Sequence, residues 1–191
     1  MKTKRYLHFV MVAVSVLAMS LFTGCKEKNQ PTDPTDPTTP TKDTKAVAAT
    51  MQIKATFGAD MIEMCDISFD YYNEKGEKKN EVVTSTEWTK DIKTAGLPAT
   101  LGLKWNLAAK ADLDESKYEH FNLEYRIEFS SVAVNAAGEK VSTPISGQPN
   151  GMSGFAIAKR EAAVASMMAN NPVKFVIKYD KDGKATEGEW E

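Results

Sequence analysis

The sequence predicts a mainly β protein, an antiparallel two-sheet sandwich with one helix near residues 155–170 before its last strands. Three observations lead there. Apolar residues recur every second position in most of the chain beyond residue 50, the period of a strand with one buried and one wet face. Glycines fall in short polar clusters between these runs, where a hairpin needs positive φ. One stretch alone, "FAIAKREAAVASMMAN", is rich in Ala and Met, which favour helix.

The chain opens differently. Met1 to Arg5 hold Lys2, Lys4 and Arg5 without an acid, and an apolar run continues from Tyr6 to Phe22. A basic start followed by an apolar core is the build of a secretory signal peptide. The run is shorter than the roughly 20 residues a spanning helix needs. It ends in Thr23 and Gly24, directly before Cys25. The four residues Phe22, Thr23, Gly24 and Cys25 resemble the lipobox of bacterial lipoprotein precursors, with Phe22 in place of the usual Leu.

That resemblance implies cleavage between Gly24 and Cys25, and lipidation and N-acylation of Cys25. One acyl chain binds a membrane marginally, at about 0.8 kcal/mol per buried CH₂, and several chains anchor it stably. Lys26 in place of Asp implies the outer membrane. Pro31, Pro34, Pro37 and Pro40 then repeat every third residue, the turn of polyproline II. At about 3.1 Å per residue this hydrated stalk reaches on the order of 60 Å. The expected organisation is a signal peptide over 1–24, a lipidated cysteine and stalk over 25–45, and one domain over 46–191. The stalk and the Lys-Glu-Lys after Cys25 look like small Bacteroidetes-type lipoproteins, some of them surface-displayed. The expected place is therefore the cell envelope, periplasmic or surface-exposed, with the membrane met through the lipid.

Within the domain, Met51, Ile53, Ala55 and Phe57 form the first alternating run. Met61, Cys65, Ile67, Phe69 and Tyr71 share one parity in the second. Leu101 to Leu107, Phe121 to Phe129 and Val173 to Tyr179 follow. "NEKGEK", "NAAGEK" and "DKDGK" mark turns at Gly76, Gly138 and Gly183. After Ser130 and Ser131 the apolar parity passes to Val132 and Val134, which predicts a bulge or bend. Phe155 to Asn170 reads as the helix, with Ile157, Glu161, Val164 and Met168 on one stripe and Lys159 and Arg160 off it. Asn170, Asn171 and Pro172 end it. Seven or eight strands are expected. "VAVNAAGEKVS" (132–142) resembles the last hairpin of fibronectin type III domains, and "LDESKY" (113–118) a turn ending in Tyr that they keep. These imply an immunoglobulin-like or transthyretin-like build. The whole domain resembles single-domain Bacteroidetes-type lipoproteins, a likeness that implies no activity.

Chemistry is sparse. Removing Lys2, Lys4 and Arg5 from 24 basic residues leaves 21 against 26 acidic ones, a net charge near −5. Without a clustered basic face, nucleic acid is not an expected partner. Cys65 has no second domain cysteine to pair with and points to a strand core. His120 precedes a strand with no nucleophile-elbow serine near it. Asp66 with Asp70, and Glu124 with Glu128, lie on wet faces, where no pKa is raised. Lys178 to Glu189 matches a calcium loop at Asp180, Asp182, Gly183 and Glu189, but Lys178 stands where the first acid belongs. No metal, cofactor or catalytic residue is assigned. Trp88, Tyr72 and Trp190 are the candidate ligand-binding residues, rings that could stack on a glycan. The expected role is non-enzymatic, structural or interacting with an envelope protein, with carbohydrate binding as the alternative.

Overall fold

The computed structural model describes residues 43–170 and 172–190. The expected signal peptide, Cys25 and the expected stalk up to residue 42 lie outside them. The described residues build two antiparallel five-stranded sheets packed face to face.

The first sheet contains β1 (Ala48–Phe57), β4 (Glu87–Lys93), β6 (His120–Val134), β7 (Ile145–Gly147) and β8 (Asn150–Ala156). Its order is β4-β1-β6, with β7 and β8 end to end along the far side of β6. The second holds β2 (Cys65–Tyr72), β3 (Lys78–Val83), β5 (Ala99–Ala109), β9 (Lys174–Tyr179) and β10 (Ala185–Gly188), ordered β10-β9-β5-β2-β3. Alternation explains the layers. Met51, Ile53 and Ala55 of β1 and Phe121, Leu123 and Ile127 of β6 face Ile67, Phe69, Leu101, Leu103 and Trp105 across the interior. Burying one such large side chain contributes about 1.5–3 kcal/mol, so the two faces together hold the sandwich.

The Met61–Tyr71 run splits. Ala59–Met64 is a one-and-a-half-turn helix, α1, and the strand begins at Cys65. Met61 and Met64 are three apart and both buried, so helical spacing serves the core there as well as alternation would. The bulge expected after Ser131 is absent. β1 and β6 pair without a break from Ala48–Val134 to Phe57–Tyr125. Inward parity continues through Ser131 and Ala133, both fully buried, and Val132 and Val134 instead cover Ala48 on the outer face. The strand is buried on both faces at that end, which is why its apolar pattern shifted. β6 also stays in one sheet throughout.

The late helix starts five residues after the expected Phe155. Phe155 and Ala156 belong to β8, Ile157–Lys159 form a 3-10 turn, and α2 runs Arg160–Asn170. The tighter 3-10 turn, three residues per turn rather than 3.6, changes the angular register. Arg160, expected off the apolar stripe, lies one helical turn before Val164 and turns inward with it, and Glu161 faces out.

Candidate functional site

The three glycine turns are one loop built three times. Asn73, Asn135 and Asp180 each begin a loop whose backbone closes on the residue four later. Their side-chain oxygens accept the backbone N–H of Glu77, Glu139 and Lys184. Gly76, Gly138 and Gly183 take φ of 75°, 82° and 79°. The calcium-like spacing at Asp180 is thus the same turn, and its carboxylate is occupied by the amides of Lys184 and Asp182. Those bonds hold its pKa below the usual aspartate value. Among the described residues, no three His, Cys, Asp or Glu stand where they could share a metal ion.

The expected ring platform is corrected at two of its three residues. Trp88 is only 8 % exposed, stacked on Phe69 at 4.5 Å, and its Nε1 donates to Glu81 at 2.8 Å. It pairs with Ala55 and so points inward like its neighbour strand. Tyr72 is also 8 % exposed and packs at 4.9 Å against Trp190, which is half-buried. Trp190 lies over Gly102, where any Cβ would sit 3.2 Å from the indole and 2.7 Å from the Phe175 carbonyl. These rings seal the outer face of the second sheet. A depression of about 770 Å³ beside Tyr72 is bordered by the Gly76 hairpin loop and the cis Leu97–Pro98 bond.

Cys65 is buried, and burial pushes its thiol up to about 11 despite the nearby positive charges of Arg160 and Lys110. A thiol of that kind is not a nucleophile at neutral pH. His120 is exposed at the first position of β6. Asp70 is partly buried, which pushes its pKa up. Hydrogen bonds from Asn106 and Asn80 and the charge of Lys104 outweigh that and hold it low. This is a stable carboxylate and not a proton donor.

Sheet edges are more informative than titratable groups. An open edge invites pairing, and natural sheets block it with charge or brevity. β3 carries Lys78, Lys79 and Glu81; β4 carries Glu87, Lys90, Asp91 and Lys93; β10 has four residues. The remaining edge, Asn150–Ala156, reads N-G-M-S-G-F-A and has no charge. Ile127 N–H donates to the Pro149 carbonyl, and Ile157 N–H donates to that of Glu119. Odd positions of β8 therefore bond to β6, and the N–H and C=O groups of Asn150, Met152, Gly154 and Ala156 point away from the sheet. Met152 is 79 % exposed.

Beneath this edge the two sheets part, and α2 spans the gap. The cleft measures about 690 Å³ and is lined by Tyr125, Phe129, Phe155 and Phe175, with Met152 and Met167 at its rim. Glycine makes room for the rings: a Cβ at Gly151 would lie 2.7 Å from Tyr125, and one at Gly147 2.6 Å from Phe129. Phe129 stacks on Phe175 at 3.9 Å, and the Tyr125 hydroxyl donates weakly to Met167 Sδ at 3.7 Å. An aromatic cleft under an uncharged strand with an open outer edge suits binding of extended chain through main-chain bonds and side-chain pockets. Sequence reading missed it because β8 has no alternation. The chain matches no protein-family model, and neither a curated protein nor a solved structure is significantly similar to it, so this geometry stands as the basis for reading the site.

Proposed function

We propose that the protein is a lipoprotein of the cell envelope, anchored in the outer membrane through Cys25, whose β-sandwich serves as a non-enzymatic interaction domain. The observation that carries the interaction role is the uncharged β8 edge above the aromatic cleft. Each main-chain bond to an added strand contributes about 0.5–1.5 kcal/mol net, and the cleft accepts its inward side chains. The anchoring half rests on the sequence: a basic start, an apolar run, Thr23-Gly24-Cys25 and a proline stalk. The glycan alternative is weakened by the burial of Trp88 and Tyr72, two of the three rings it needs.

The test combines lipid labelling with accessibility. Cells producing the full chain are fed an alkyne analogue of palmitate, and the labelled protein is followed in the parent and in Cys25→Ser. Label in the parent, lost in the variant, together with outer-membrane fractionation, is the expected result. Protease added to intact and to lysed cells then tells which side the stalk faces. An unlabelled parent that fractionates with soluble protein overturns the anchoring.

A further inference from the structure

We infer that the β8 edge is a self-pairing site, joining two copies of this chain into one continuous sheet across a two-fold axis at Ser153. The inference deepens the interaction reading above and rests on it for the docking role of β8.

The order of residues along the edge is self-complementary. In antiparallel self-pairing centred on Ser153, Met152 lies opposite Gly154 of the second copy, and Phe155 lies opposite Gly151. Asn150 lies opposite Ala156. Each large side chain meets a residue with little or none, and each glycine receives a ring or a thioether, the pairing known to offset glycine in sheets. The hydrogen-bonding parity agrees. Asn150, Met152, Gly154 and Ala156 hold the outward amides, and in this register they pair only with one another. Centring on Met152 instead would set two large thioethers face to face and leave Phe155 opposite Pro149.

Charge points the same way. A two-fold interface sets the same patch of both copies against each other and brings residues near the axis close to their own counterparts, so like charge there repels. β3 and β4 are charged along their length, and β8 is neutral. The cleft supplies the depth. Phe155 and Ser153 pair with Phe121 and Leu123 on the inward face. The added strand would therefore turn its own Phe155 toward Gly151, beneath which the Tyr125 ring lies. Copies tethered to one membrane also meet at raised effective concentration, which favours a short pairing surface.

The experiment is disulfide trapping in the membranes of cells producing the full chain. Residues at a non-hydrogen-bonded antiparallel pair have Cα atoms about 4.5 Å apart, within the disulfide range of roughly 4.4–6.8 Å. Ser153→Cys is oxidised mildly and run without reductant, beside the parent and beside Val82→Cys, a 65 % exposed site on β3. Met152→Lys is added to Ser153→Cys to place two lysines near the axis; both positions are exposed, and thermal melts establish that the variants fold. The expected result is a dimer-sized band specific to Ser153→Cys and at least tenfold weaker with Met152→Lys. An adduct of another mass overturns the second copy and leaves the interaction reading standing. A cysteine at 153 that takes maleimide but forms no adduct overturns both.

Discussion

Arg160 is 2 % exposed, yet it carries a full charge into the base of the sandwich. Its Nη1 donates to the Met64 carbonyl at 2.6 Å and its Nη2 to that of Lys110 at 2.9 Å; Nη2 and Nε both reach Glu115 Oε1. Lys110 Nζ takes the carbonyls of Ile62 and Glu63. The last carbonyls of α1, which have no helical partner of their own, are thus satisfied by two cations at the negative end of the helix. The guanidinium fork suits this because it donates in several fixed directions at once. Arg160→Met is expected to cost about 1–3 kcal/mol in urea unfolding at neutral pH, since the Lys110 carbonyl loses this donor, the Met64 carbonyl keeps only the Lys110 N–H, and Glu115 loses its cation. Arg160→Lys should recover less than half of that, because one ammonium cannot span three acceptors; full recovery would show that charge alone matters. The sequence pointed away from this residue. The stripe read from Ile157 and Glu161 passed beside Arg160, whereas the helix begins at Arg160, which shares its buried face with Val164 one turn on.

At the level of elements, local chemistry was readable and tertiary context was not. The three loops were legible because glycine and the Asx residue that begins each loop do their work within five residues. Even so, equal loops carry unequal loads. Gly76 and Gly183 share nearly the same φ, but a Cβ on Gly76 meets nothing within 4 Å. On Gly183 it would come within 2.4 Å of Ala46 Cβ and 3.1 Å of Ala133 Cβ. Gly76→Ala is therefore expected to cost only the left-handed backbone penalty, about 1–2 kcal/mol. Gly183→Ala should cost clearly more, because the loop must also lift from Ala46 and from Ala133 of β6. Equal melting temperatures for the two variants would refute the packing half of that argument. β7, β8 and β10 escaped the sequence for the opposite reason: short, glycine-bearing edge strands have little burial to enforce a period. Trp88 escaped because its strand shows few apolar positions, yet Ala55 and Phe69 claim the ring.

Across the whole molecule, the sandwich closes its sides by different means. The β8 side is left to α2 and the cleft. Deep between the sheets, the hydroxyls of Ser131 on β6 and Tyr179 on β9 bond at 2.8 Å. The β3/β4 side is closed by charge. Glu81 on β3 accepts from Lys90 at 2.6 Å and Trp88 at 2.8 Å, both on β4 of the other sheet, and from the Tyr71 hydroxyl at 3.1 Å. The Lys90 bond, against some burial and with help from Trp88, holds the Glu81 pKa below the ordinary 4.5, and the same bond raises that of Lys90 above 10.5. A lowered carboxylate means the folded state binds fewer protons than the unfolded chain in acid. The stabilisation from Glu81 is whole above the unfolded glutamate value and is lost as pH falls through the folded one. Lys90 gives the opposite limb, whole below 10.5 and lost as pH rises through its raised value. Unfolding midpoints in urea should therefore drop below pH 4.5 and hold a plateau up to about 9, above which the buried Cys65 thiol, raised from 9.0 to about 11, adds its own loss ahead of that from Lys90. Because Asp70 and Asp180 are lowered as well, Glu81→Gln should remove part of the acid limb and not all of it. It should also lower the plateau itself, since the neutral amide loses the Lys90 ion pair and offers the three donors one accepting oxygen in place of two. A Glu81→Gln midpoint that falls in acid as steeply as the parent would place the acid sensitivity outside this side of the sandwich.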